Sequence, residues 1–246
     1  MPDDIFTVPR LTAVYDAVNP PGRDSEFYLD LAGPAPLSVL DMGCGTGWLA
    51  CELTARGHSV TGADPARAML DIARKRPNAG QVAWVETDAA RLNLEVRFDL
   101  AIMTGHVFQV FLTDEDVGAA LRAIYAHLAS GGRLAFETRN PAAREWLEWM
   151  PEVSAEQVEV PGIGTIAAHY EVLSATDSLV TFATHYRFPD GTAVAAPSTL
   201  RFMGQDELAA HLADAGFDPV TWYGDWDRTP IRPGCPEIIA IAERQG

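Results

Sequence analysis

Residues 39–49 read Val-Leu-Asp-Met-Gly-Cys-Gly-Thr-Gly-Trp-Leu, an apolar run that breaks into three glycines and resumes as a helix former. Such a bend suits a ligand. Glycine turns the backbone sharply and presents no Cβ to an approaching group, and the free N–H groups of the helix start can bind a carboxylate. Two further acids stand at related places. Asp64 closes the next apolar run, where a carboxylate can accept from both hydroxyls of a ribose. Asp88 follows a third run, in Val85-Glu86-Thr87-Asp88-Ala89, where a side chain can accept from the amino group of an adenine. The glycine spacing is G-x-G-x-G rather than G-x-G-x-x-G, and Asp41 stands where dinucleotide-binding folds carry an apolar residue or glycine. An adenosine-bearing ligand is indicated, with a nicotinamide dinucleotide as the less favoured alternative.

For these residues to meet, they must end neighbouring strands of one sheet. The pattern from Leu37 to Arg139 predicts that arrangement. Short apolar runs at Ser38–Met42, Ser59–Ala63, Gln81–Glu86, Phe98–Thr104 and Arg133–Thr138 read as buried strands. Helices are predicted between them at Trp48–Arg56, at Ala66–Arg76 behind Pro65, and from the Thr113 cap to about Leu128. Alternation with short links implies a parallel sheet with right-handed crossovers. The pattern then changes. Pro141–Met150 reads as a short helix, and Val153–Phe202 as antiparallel strands, with turns at Ala175–Ser178 and Pro189-Asp190-Gly191. A helix at Gln205–Ala215 and strands at Val220–Gly224 and Ile238–Ala242 close the chain. The expected fold is α/β: a Rossmann-like, doubly wound, mostly parallel seven-stranded sheet with an antiparallel β insertion after strand five. Residues 1–140 and 204–246 form the core, with about 1–35 as an N-terminal lid. Residues 151–203 form the insertion, expected to cover an acceptor or to make a dimer contact.

The pieces DMGCGTG at 41–47, GADPARAML at 62–70, ETDAARL at 86–92, FDLAIMTGHVFQ at 98–109 and GGRLAFET at 131–138 resemble the class I S-adenosylmethionine-dependent methyltransferases, in their small-molecule branch. The resemblance implies S-adenosylmethionine as methyl donor, S-adenosylhomocysteine as product, and no metal. It implies that Asp41, Gly43, Cys44 and Gly45 hold the methionine end of the donor. Asp64, with Pro65 behind it, holds the ribose, Met69 packs near the adenine, and Asp88 and Ala89 read the adenine. Thr104, Gly105 and His106 lie beneath the sulfonium, and Tyr15 closes the pocket from the lid.

The donor is already activated, so the protein chiefly has to align an acceptor behind the methyl carbon. A base is needed only where the acceptor sheds a proton, and His106 or Glu137 is the candidate. Phe108, Gln109, Arg139, Tyr186 and Trp226 are the candidate acceptor lining. The acceptor is expected to be a small molecule. Lys and Arg number 18 against 34 Asp and Glu, a net charge of −16, which disfavours the alternative of a protein or nucleic-acid methyltransferase. The basic run Arg74-Lys75-Arg76 is read as complementing the end of a helix dipole. Asn19-Pro20-Pro21 lacks the aromatic that a base-flipping enzyme needs. Asp114-Glu115-Asp116 is read as a helix start rather than a metal site, and His169 and His185 as strand residues without metal-ligand spacing. Cys44, Cys51 and Cys235 are odd in number and have no CxxC spacing, so neither a disulfide framework nor a zinc site is expected. There is no apolar run long enough to span a membrane, and the acidic start at Asp3 and Asp4 is unlike a signal peptide. A cytoplasmic protein is expected, with the insertion as its route to a homodimer.

Overall fold

The computed structural model describes residues 2–176 and 178–245. Its main sheet has seven strands in the order β10-β11-β5-β4-β1-β2-β3. They are β1 (Ser38–Met42), β2 (Ser59–Asp64), β3 (Ala83–Glu86), β4 (Phe98–Met103), β5 (Leu128–Arg139), β10 (Phe217–Tyr223) and β11 (Glu237–Arg244). The first five pair in parallel, and β11 runs antiparallel to both β5 and β10. The expected sheet is therefore present, with its order reversing at β1. The crevice beyond the carboxyl ends of β1 and β4 is where an open α/β sheet binds its ligand.

Among the described residues, nine α-helices surround the strands: α1 (Asp4–Thr7), α2 (Pro9–Thr12), α3 (Tyr15–Val18), α4 (Arg23–Ala32), α5 (Trp48–Ala55), α6 (Arg67–Ala73), α7 (Asp114–His127), α8 (Pro151–Ser154) and α9 (Gln205–Asp214). One face of the sheet buries Phe98 and Phe136, with Phe108 beyond β4, against Leu121 and Ile124 of α7 and Leu208 of α9. The other buries Val39, Leu100 and Ile239 beneath α4 and α5, through Tyr28, Leu49 and Leu53. Strands sandwiched in this way are apolar on both sides, which is why β1 and β4 read as unbroken apolar runs. The α7 start is as expected: Thr113 caps it by accepting from Asp116 N–H at 3.2 Å, with acids filling the first turn.

A second sheet, antiparallel and in the order β6-β7-β8-β9, comprises β6 (Glu156–Val160), β7 (Gly164–Ala175), β8 (Leu179–Arg187) and β9 (Ala193–Arg201). Its alternate residues Ile166, Ala168, Tyr186, Phe188 and Ala196 pack against Leu11 and Val14 of the N-terminal helices. The turn expected at Ala175–Ser178 includes Asp177, which lies outside the described residues.

Two expectations need correction. Pro141–Met150 is not an α-helix. The Asn140 side chain takes the Ala142 N–H at 3.0 Å, and Arg144 adopts a left-handed φ of 51°, so only a 3₁₀ turn forms at Glu145–Glu148. Trp146 and Trp149 are thereby free to pack on Phe182 and Phe202 of the insertion. The helix behind Pro65 ends at Ala73, so Arg74-Lys75-Arg76 lies beyond its last turn. Arg74 pairs with Asp71 at 3.0 Å, and Arg76 turns to the glycine loop.

Candidate active site

β1 and β2 run side by side, and the turn after β1 is fastened to the end of β2. Gly43 N–H and Cys44 N–H both donate to the Ala63 carbonyl, at 2.7 and 3.1 Å. Gly43, Gly45 and Gly47 have φ of 77°, 53° and 76°, in the left-handed region that side chains resist. Contact adds a second reason for glycine at 43, since a Cβ there would stand 2.7 Å from the Val107 methyls of the β4 loop. Asp64 completes the turn, accepting from Gly45 N–H at 2.8 Å and from Ala66 N–H at 2.7 Å. Its carboxylate thus ties the glycine bend to the backbone just before α6, and burial raises its pKa. Pro65, behind it, is exposed.

β3 brings up the third acid. Thr87 N–H donates to the Asp64 carbonyl at 3.2 Å, and Asp88 follows at once. Asp88 caps a 3₁₀ turn by accepting from Arg91 N–H at 2.9 Å, and Ala89 behind it is buried. Gly43, Asp64 and Asp88 therefore stand on successive strand ends along one edge of the sheet. Met69 is buried beside them, its methyl 3.5 Å from where a Cβ on Gly45 would stand.

Asp41, two residues before the turn, is buried, and its Oδ2 has no hydrogen-bond partner among the described residues. Burial, and then the charge of Asp64, push its carboxyl up to about 7. Cys44 is held protonated: burial, Asp41 and Asp64 drive its thiol well above the usual range.

The N-terminal helix α3 is tied to the turn. Asp16 accepts from the Thr46 hydroxyl at 2.5 Å and pairs with Arg76, while Arg76 donates to the Thr46 carbonyl at 2.5 Å and its hydroxyl at 2.9 Å. Burial, with the charges of Asp64 and Asp16 and the Tyr170 phenol, pushes the Tyr15 hydroxyl up to about 12, and its ring packs against Phe6 at 6.0 Å.

Beyond β4 the chain turns through Thr104, Gly105 (φ 70°) and His106 (φ 60°). His106 N–H donates to Glu137 Oε1 at 2.7 Å, and the Tyr28 hydroxyl donates to Glu137 Oε2. The His106 ring meets a different acid: Nε2 lies 3.1 Å from both oxygens of Glu237. Glu137 is fully buried, and burial raises its pKa. Burial lowers His106 to about 4 and raises Glu237 to about 8. Sequence reasoning named His106 and Glu137 but missed Tyr28 and Glu237. The signal was a carboxylate opening the apolar run Ile238–Ala242, which a core strand admits only with a partner.

The proposed acceptor lining is divided. Phe108 has no exposed surface and stacks on Phe136 at 4.1 Å, inside the core. Gln109 is a buried tie, donating to the Arg201 carbonyl at 3.1 Å and accepting from Arg139 at 3.0 Å. Arg139 also reaches Glu145 at 3.3 Å and lies over the Trp149 ring. Tyr186 packs with the lid residues, and Trp226 packs edge-on to Phe27 and Tyr28. Asp114 converges with Glu207 and His211, the one group of three potential metal ligands among the described residues. The Arg201 guanidinium fills it, 2.5 Å from Asp114 and 2.7 Å from Glu207. His169 and His185 stack across β7 and β8 at 4.8 Å, with Glu171 2.8 Å from His185.

The residues present fit an adenosyl donor. A Cβ at Gly105 would meet nothing within 4 Å and one at Gly45 only the Met69 methyl, so both turns border open space. The unpartnered Asp41 oxygen just before the turn suits the cationic amino-acid end of such a donor.

The fold is similar to that of solved methyltransferases. Residues 39–132 match a family model described as a methyltransferase domain. Across the whole chain, the structure is similar to the CcbJ methyltransferase of Streptomyces caelestis, with a TM-score of 0.75 at 20% identity, covering 98% of this chain and 99% of that one. It is also similar to CalS10 of Micromonospora echinaspora, an amino pentose methyltransferase with S-adenosylmethionine bound, with a TM-score of 0.70 at 23% identity over 94% of this chain and 97% of that one. By sequence, 105 residues are 34% identical to the cypemycin N-terminal methyltransferase of a Streptomyces species, 43% of each chain. Another 36% identity over 112 residues links the chain to the malonyl-[acyl-carrier protein] O-methyltransferase of Acetivibrio thermocellus, 45% of this chain and 38% of that one. These sequence matches span less than half of the curated relatives' length. Residues 39–132 thus resemble a methyltransferase domain, and the whole chain shares the fold of the solved methyltransferases.

Proposed function

We propose that the chain is an S-adenosylmethionine-dependent methyltransferase for a small-molecule acceptor. The observation that carries this reading is the convergence of the left-handed glycine turn on Asp64, through the 2.8 Å bond from Gly45. Bound there, the donor supplies an electrophilic methyl group on a sulfonium. The chain's own part is to hold, orient and exclude water. Asp64 offers its carboxylate to the ribose, giving up a backbone amide in exchange, and Asp88 with Ala89 borders the adenine. Asp41 balances the donor's ammonium, Tyr15 closes over the cleft, and His106 faces the reacting side. Small acceptors suit the reading because the insertion sheet and the lid roof the cleft and the net charge of −16 repels polyanions. Among the described residues no helix is long and apolar enough to cross a membrane. The proposal includes a cytoplasmic setting, supported by three free thiols, and a homodimer through the insertion, which sedimentation tests.

Titration calorimetry with S-adenosylmethionine, S-adenosylhomocysteine and NAD tests the donor. The first two should bind and NAD should not; tight NAD binding without the methyl donor overturns the reading. Asp64→Ala should weaken donor binding about tenfold or more, because the paired hydroxyls lose their acceptor. Unchanged affinity removes Asp64 from the site.

A further inference from the structure

The chain holds His106 from two directions. Its φ of 60° lies in the left-handed region that a non-glycine residue resists. The buried Glu137 accepts its N–H at 2.7 Å, and Tyr28 occupies the other Glu137 oxygen. The ring is held separately, with Nε2 3.1 Å from both oxygens of Glu237. Glu237 reaches this place from β11, in register opposite Arg139 of β5. The other ring nitrogen, Nδ1, has no hydrogen-bond partner among the described residues.

We propose that Glu237 is a positioning residue for methyl transfer: by holding Nε2 of His106 it presents Nδ1 to the acceptor and makes the two side chains one proton-accepting unit. This rests on the reading of the chain as a methyltransferase. In the accepting form, His106 is neutral with its proton on Nε2, and Glu237 is ionised. The acceptor's lone pair forms the bond to the methyl carbon as the carbon–sulfur bond breaks with its pair on sulfur, and the acceptor's proton moves to Nδ1. The imidazolium then faces a carboxylate instead of an apolar wall, the arrangement by which a buried acid supports a histidine base.

The surrounding charges come from every packed element: Arg139 and Glu137 on β5, Glu145 in the 3₁₀ turn, Asp24 on α4 and Asp225 after β10. Burial outweighs them, lowering His106 and raising Glu237. The pair therefore sheds its second proton as pH rises through about 8, and the accepting form grows over that range. Turnover should rise with it.

The test is Glu237→Gln, which keeps a hydrogen-bonding group beside Nε2 but cannot ionise. The alkaline-going limb of kcat should move to lower pH by about one unit or more. At the plateau, kcat should fall about tenfold or more, with acceptor KM little changed. Donor affinity, read by calorimetry, should stay within about twofold, since Glu237 lies on the acceptor side of His106. Nitrogen NMR of the His106 ring in the donor-free protein supplies a readout independent of activity. In the wild type the ring should respond as pH passes through about 8 and carry its proton on Nε2 above it; the response should vanish in Glu237→Gln. Identical limbs and identical ring titrations in both proteins overturn the proposal. If the variant does not fold, a wild-type ring with its proton on Nδ1 above that pH overturns it equally. Failure to bind any methyl donor would sink the enzymatic reading, while the ring titration still judges the His106–Glu237 pair.

Discussion

Asp41 shows what one buried carboxyl implies. Its folded pKa of about 7 lies above the usual 3.8, so the fold disfavours its ionised form. A group raised in this way contributes stability below its unfolded pKa that is lost as pH rises through the folded one. The donor-free protein should accordingly lose stability between about pH 4 and pH 7 from this residue. Asp41→Asn should flatten that slope and raise Tm at pH 8, measured by thermal denaturation; an unchanged slope would show that Asp41 is ionised throughout. Donor binding should in turn release a proton near pH 6, seen as a buffer-dependent heat, because a cation stabilises the carboxylate. Asp41, Asp64 and His106 were legible in the sequence since each sits where a run of one character meets another. Glu237 showed only as a carboxylate opening an apolar run, its partner being set by sheet register, and Tyr28 not at all, because its partner depends on how α4 packs on the sheet.

At the scale of elements, the lid depends on one arginine. Arg76 reaches the Thr46 carbonyl and hydroxyl and pairs with Asp16, tying α3 to the glycine turn from the segment after α6. An exposed ion pair alone is worth little, but the bonds to Thr46 are part-buried. Arg76→Ala should speed proteolysis after Arg10 and weaken donor binding by about fivefold, on the order of 1 kcal/mol. Equal cleavage rates would show the lid to be held by its apolar contacts alone. The sequence placed the basic run on a helix that stops short of it. Likewise it extended a helix across Pro141–Met150, where Asn140 and Arg144 bend the chain locally and the tryptophans find more apolar surface on the insertion. The strands β1, β2 and β4 were legible because burial on both faces leaves an apolar run bounded by glycine or a charged residue. The insertion strands were legible through alternation, since one face meets the lid and the other does not.

For the whole molecule, charge dominates. With 34 acids against 18 bases, self-repulsion opposes compactness, and mobile ions relieve it. Raising ionic strength from about 10 mM to about 150 mM should raise Tm by a few degrees, since the screening length falls to about 8 Å. A fall in Tm would mean that the attractive pairs, such as Arg201 with Asp114 and Glu207, outweigh the repulsion. The position of β11, between β5 and β10, has a consequence for the order in which the protein is made. Glu237 follows His106 by 131 positions, so the residues of the proposed donor cleft are synthesised long before the acid proposed to orient the histidine. Such late, long-range pairing is slow. During biogenesis, capacity to hold the donor and capacity to turn it over should therefore appear at different times.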